Sequence, residues 1–218
     1  MRTVTQGVEQ ILKNQPFLVE ALQRKIINYS ALAEELRPQV SDFVRKPIKS
    51  AAIMMALRRY RFPAGIAEKG VREHYFKQLG DITVRSNIHS FTFKNTNSLL
   101  GSHTKMLGYF SDNPNLFYAF TRGILESNLM ISGAAVEVVN RFFGKQELLS
   151  HHQELSAISL QLPLGNYKAV GLYYHLLKQL AWRDIALYEV ISTANEFTIL
   201  VEEALVEQAF SVIKGLKA

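Results

Sequence analysis

The sequence contains no cysteine, so disulfides and thiolate metal sites are excluded. Its first residues, MRTVTQGVEQILKNQPF, lack the unbroken apolar segment of a signal peptide. No run approaches the ~18 apolar residues of a membrane span. A cytoplasmic protein with no membrane partner is the expectation. Gly-x-Ser-x-Gly, His-Glu-x-x-His and Walker-type loops are also missing. With no reactive constellation, the expectation is a non-enzyme with no catalytic residue, cofactor or metal. His151-His152 stands in a segment that reads as an exposed irregular loop, where adjacent side chains seldom chelate together. His74, His89, His103 and His175 are scattered.

What is present is a core. Hydrophobic residues make up 48% of the 218, with 13 Phe and 9 Tyr, which argues against global disorder. The length allows one or two domains. The net charge of +6 is uneven: +7 over residues 1–78, +1 over 79–150 and −2 over 151–218. A basic block at one end points to an anionic partner such as nucleic acid, or else to a solvated helical surface.

The first third reads as helices. Val4, Val8, Ile11 and Leu12 are spaced for a helix over 3–14, and Pro16 opens a second over 16–26. Asn28 or Ser30 caps a short third, YSALAEEL, and a loop containing Pro38 follows. Pro47 opens a fourth over 47–61, and Pro63 and Gly65 end the block. Residues 66–78 extend it as a further helix.

From residue 82 the pattern changes. ITVRSNIHSFTFK (82–94) alternates as a strand, and 98–110 is helical. Strands are expected at 116–121 and 124–131, and a helix at 133–143. The order then recurs: a strand at 155–163, a helix at 166–182 with Val170, Tyr174, Leu177 and Ala181 on one face, strands at 186–192 and 196–202, and a helix at 203–216. An offset of 71 aligns Leu116 with Leu187, Thr121 with Ser192, Leu129 with Leu200 and Gly144 with Gly215. Two β-α-β-β-α runs imply an α+β, ferredoxin-like fold with antiparallel sheets. The usual unit has a fourth strand after its second helix, and the second run ends without one. A neighbouring repeat or a second protomer would cover the open edge, so a homodimer or higher homo-oligomer is expected.

GLYYHLLKQLAWRDIALYEVISTANEFTILVEEALVEQAFSVIKGL (171–216) resembles an ACT domain, most closely the regulatory ACT domains of aspartokinases. The resemblance rests on the VIST strand end, the FTILVEE strand, LAW-x-x-I, and the closing helix with Ala209, Phe210 and Ile213. Residues 1–78 do not resemble a kinase domain. The resemblance implies three parts: a basic helical module (1–78), a first ACT-like unit (79–150) and a second (151–218). It also implies an amino-acid effector bound near the loop between first strand and first helix. In the second unit that loop is Leu164, Gly165, Asn166 and Tyr167, with Val170 beyond it and Ser192, Thr193 and Glu196 in the nearby hairpin. The chemistry suits a carboxylate, because a helix N-terminus offers free N–H groups. Asn166 can equally be only a cap. The loop departs from the family's Pro-Gly-Val run.

Residues 27–62 pair a short helix with a longer one, as helix-turn-helix DNA readers do. A helical wheel of 47–61 places Ile48, Ala52, Ile53, Ala56 and Tyr60 inward and Ser50, Met54, Arg58 and Arg61 outward. With Lys46 and Lys49 near the helix start, the candidate contacts to duplex DNA are Lys46, Lys49, Ser50, Arg58 and Arg61. The expected protein is an effector-responsive transcriptional regulator. The alternative is a stand-alone ACT protein that regulates an enzyme by contact.

Overall fold

The computed structural model describes residues 2–62 and 75–217. The expected stop at Pro63 and Gly65, and most of the helix expected at 66–78, lie outside the described residues. The chain divides into two units, residues 1–69 and 70–218.

The first unit is helical: α1 (Val4–Lys13), α2 (Pro16–Gln23), α3 (Tyr29–Val44) and α4 (Ser50–Arg58). Its starts follow from local chemistry. Thr3 and Gln6 form a reciprocal capping box on α1. The Asn28 side-chain oxygen accepts from the Ser30 and Ala31 N–H groups at 2.9 and 3.2 Å. The loop expected at Pro38 is not there, because α3 runs through it for 16 residues. Leu32, Leu36 and Val40 are buried at i, i+4 and i+8, while Pro38 lies on the exposed side. Burying each such side chain is worth roughly 1.5–3 kcal/mol. Together they outweigh the ~3 kcal/mol penalty of an interior proline.

The second unit holds β1 (Ile82–Lys94), α5 (Leu99–Asp112), β2 (Tyr118–Arg122), β3 (Glu126–Ser132), α6 (Val136–Phe143), β4 (Leu148–Gln161), α7 (Leu172–Ala181), β5 (Glu189–Ser192), β6 (Glu196–Glu202) and α8 (Val206–Gly215). The six strands form one antiparallel sheet in the order β2-β3-β1-β4-β6-β5. Each run contributes three strands. The edge that each leaves open on its first strand is closed by the first strand of the other, through the β1–β4 pairing.

Two apolar clusters lie under the helices. Phe91, Phe93, Leu129 and Ile131 pack with α5 and α6. Ile158, Leu160, Phe197 and Ile199 pack with α7 and α8. A third cluster lies on the other face, where Ile88, Met130, Leu155, Ala157 and Leu200 are buried with flanking side chains of β2 and β5. The Asn128 amide on β3 donates to the Glu189 carboxylate on β5 at 3.0 Å. In a flat sheet these strands, four spacings apart, would be separated by about 19 Å. The sheet is therefore curled, and its helix-free face closes on itself. Register shifts along β1–β4 and left-handed backbone at Asn87 (φ 53°) and Glu154 (φ 60°) accompany the curl.

Three expectations are corrected. β4 begins at Leu148 rather than 155, so His151 and His152 are in a strand and not a loop. Its first half is exposed and held by pairing to β1, which hides it from a burial pattern. The helix expected over 166–182 is a single turn at 166–168 followed by α7, broken at Gly171 (φ 82°). The phase therefore restarts, and Leu172, Leu176 and Leu180 face inward, while Val170 and Tyr174 are exposed. The repeat offset is 70, not 71. Leu129 matches Ile199, and the hairpin bonds Gly123 N to Glu126 O and Thr193 N to Glu196 O recur at 70. A one-residue slip exchanges the faces of every strand residue.

Candidate functional site

The β5–β6 hairpin is tied to the loop that follows β4. Asn166 is buried, and its side-chain amide donates to Ala194 O at 2.6 Å and to Pro163 O at 3.1 Å. Leu162 N donates to Asn195 O at 2.8 Å. The first run repeats the arrangement. Asn95 Nδ2 donates to Gly123 O at 2.9 Å and to Ile124 O at 3.1 Å, under the β2–β3 hairpin. Asn166 is not the helix cap that the sequence allowed, since its side-chain amide instead ties the loop to the hairpin through two backbone carbonyls.

Beside the tied hairpin lies a cavity of about 380 Å³, lined by Asp81, Thr83, Ser159, Gln161, Thr193, Asn195 and Glu196. Every lining side chain is polar, two are carboxylates and none is basic. Register explains the set. Thr83 pairs with Ser159, Ser159 with Thr198, and Gln161 with Glu196, so these strand residues share the helix-free face. The Ser159 and Thr198 hydroxyls bond each other at 2.7 Å. Lys217 donates to the Gly80 carbonyl, just before Asp81, at 2.7 Å.

The eight expected ligand residues divide into separate places. Thr193 and Glu196 line the cavity. Ser192 pairs with Phe197 on the opposite face, and its hydroxyl lies 3.1 Å from that of Tyr173. Leu164, Tyr167 and Val170 point to solvent at 84, 80 and 98% exposure. Gly165 takes a left-handed conformation (φ 75°) at the turn before Asn166. Sequence reasoning missed Asp81, Thr83, Ser159, Gln161 and Asn195. The available signal was Ser159 and Gln161 alternating with the core residues Ile158 and Leu160.

In the first unit, α4 is nine residues long, shorter than the expected 47–61. Ile53, Ala56 and Leu57 face inward, while Ala52, expected inward, is exposed with Ala51, Met55 and Arg58. Lys46 lies in the turn, and Lys49 is the residue before the helix. Arg58 and Arg61 are exposed. The Ser50 hydroxyl donates to the Glu34 carboxylate of α3, which also pairs with Arg37 at 3.2 Å. The strand at 82–94 lies in the sheet, as expected.

No protein-family model matches the sequence, and no curated protein matches it either. Solved structures do match. Clostridium acetobutylicum aspartate kinase, described as an allosteric enzyme, superposes with a TM-score of 0.53 at 13% identity, over 64% of this chain and 34% of that one. A structure of aspartokinase alpha and beta subunits matches with a TM-score of 0.50 at 14% identity, over 63% of this chain and 97% of that one. The chain thus spans about a third of the length of the clostridial enzyme. At these identities the likeness is one of fold: over roughly 63% of its length this chain is folded like part of aspartokinase.

Proposed function

We propose that the protein is a small-molecule sensor whose effector, an amino acid, binds at the second of two ferredoxin-like ACT-type units, where it meets the start of β1 from the first. The observation that carries this reading is the cavity between the end of β4 and the tied hairpin, lined throughout by polar groups. Asp81 and Glu196 suit an ammonium group. Thr83, Gln161, Thr193 and Asn195 offer hydroxyl and amide partners to the rest of the molecule. Asn166 and Gly165 hold the hairpin and loop in place, so an effector that bridges them would be felt in both. Leu164, Tyr167 and Val170 present apolar surface at the loop, suited to a second copy of the chain. Ser192 acts from the α7 side, through Tyr173.

The test is a thermal-shift screen against the twenty amino acids. An effector at about 100 times its Kd adds roughly 2.7 kcal/mol. The gain should disappear in Asp81→Asn and Glu196→Gln. No shift with any amino acid would overturn amino-acid sensing.

The first unit carries the output in this reading. Exposed Lys46 and Lys49 at the α3–α4 turn, and Arg58 and Arg61 at the C-terminal end of α4, favour duplex DNA as the target. Ser50, already bonded to Glu34, would contribute only by exchanging that partner. Binding to DNA should fall steeply with salt and weaken when Arg58 and Arg61 lose their charge. Salt-insensitive co-purification with an enzyme, and no DNA binding, would instead favour regulation by protein contact.

A further inference from the structure

A histidine pair on the central strands lies outside the effector cavity. His89 on β1 and His151 on β4 are 62 residues apart in sequence. Their Nδ1 and Nε2 atoms are 3.0 Å apart in space. The other nitrogen of His89, Nε2, lies 3.2 Å from the Asn87 side-chain oxygen. An amide oxygen only accepts, so His89 Nε2 carries the proton and Nδ1 presents a lone pair. His151 then donates its Nε2–H across the strands. Its ring is stacked on buried Phe91, with centroids 4.0 Å apart.

We propose that His89 and His151 form a cross-strand chelate for a divalent transition cation of the zinc, nickel or copper type. Metal–imidazole bonds of about 2.0–2.1 Å set cis nitrogens roughly 2.9–3.4 Å apart, a range that includes the observed separation. Asn87 supplies the outer-shell acceptor that metal-bound histidines ordinarily have. Neutral imidazole is the form that ligates a metal. Binding needs no net proton loss. The His151 proton moves from Nε2 to Nδ1, and both ligating nitrogens then offer lone pairs to the cation.

His152 does not join them. It is the next residue along the strand, pairs with Ser90 on the opposite face and contacts Tyr188. No group of three His, Cys, Asp or Glu among the described residues is placed to hold a metal. The site is thus bidentate, with its remaining positions left to water, and His151 is exposed enough to admit the ion. A bound cation would clamp β1 to β4, the seam that joins the two runs.

The test uses the full chain, free of any polyhistidine tag and stripped with chelator. Zn²⁺ is titrated in by calorimetry and by imidazole ¹⁵N NMR. One equivalent should bind per chain and shift His89 Nδ1 and His151 Nε2, leaving His103, His152 and His175 in place. His89→Gln and His151→Gln should each abolish saturable binding, His152→Gln should retain it, and Mg²⁺ should do nothing. The NMR result on the unmutated protein stands even if a variant folds poorly. No saturable Zn²⁺ binding, or shifts at His151 and His152 without His89, would overturn the proposal.

Discussion

Asn166→Ala tests the anchor directly. Its side chain is 5% exposed and donates twice, to the Ala194 and Pro163 carbonyls. Each net hydrogen bond is worth about 0.5–1.5 kcal/mol, and the Ala194 carbonyl would be left short of a partner, while Pro163 O keeps the Asn166 backbone N–H. A loss of about 2 kcal/mol is expected. For a unit of this size each kcal/mol lowers Tm by roughly 2–4 °C, so the melt should fall by about 4–8 °C. Trp182, the sole tryptophan, sits at the C-terminal end of α7 within the same unit, and its fluorescence reports the transition. Urea melts should show a lower midpoint at unchanged slope. Asn95→Ala removes the counterpart, which donates to Gly123 and Ile124 and accepts from Ser127 at 2.6 Å, so it should cost at least as much. A loss below about 0.5 kcal/mol for Asn166→Ala, the range of an ordinary surface change, would refute the anchor argument.

Leu200→Ala opens the cluster inside the curled face, where Leu200 is fully buried, and should cost about 2–5 kcal/mol by chemical denaturation. A loss under about 1 kcal/mol would mean that the face is open to water. Pro38→Ala restores an interior helix N–H. It should stabilise the helical unit by about 1–2 kcal/mol in melts followed by circular dichroism, since the ~3 kcal/mol proline penalty is only partly offset by unfolded-state entropy. Destabilisation would show that Pro38 itself makes a needed contact. His103 stacks on Phe120 and bonds the Tyr118 hydroxyl, and burial holds its pKa below 6.5 while pushing Tyr118 up to about 12. The unfolded chain therefore binds the proton more readily. The stability that neutral His103 contributes is complete above pH 6.5 and is lost as pH falls towards the lower folded value. Denaturation midpoints measured between pH 7.5 and 5.5 should decline less in His103→Gln than in the parent, and equal slopes would remove His103 as a cause.

Element order was legible because periodicity survives wherever one face is buried. β1 has the expected bounds, and the expected last helix is there as α8, burying Ala209, Val212 and Ile213. The failures have local causes. Pro38 reads as a breaker, yet the buried stripe that crosses it decides the outcome. Gly171 shifts the phase of α7 by breaking the helix before it begins. The first half of β4 is held by backbone pairing, which leaves no apolar signature. Two of the seven residues lining the candidate cavity were legible. Thr193 and Glu196 lie in a polar stretch that stands out, whereas Asp81, Thr83, Ser159 and Gln161 sit on strands far apart in sequence and meet only through sheet register. His89 and His151 were invisible as a pair for the same reason.

The β1–β4 seam gives the chain the character of a homodimer written on one polypeptide. Each run leaves a long unpaired edge, and each supplies the edge the other lacks, so neither run is a natural unit of expression. A fragment ending near residue 147 would carry a naked 13-residue strand and should seek another copy of itself. Tethering removes the concentration dependence of that pairing. It also frees the two runs from having to match. Their sequences can diverge on either side of the seam while the assembly remains whole.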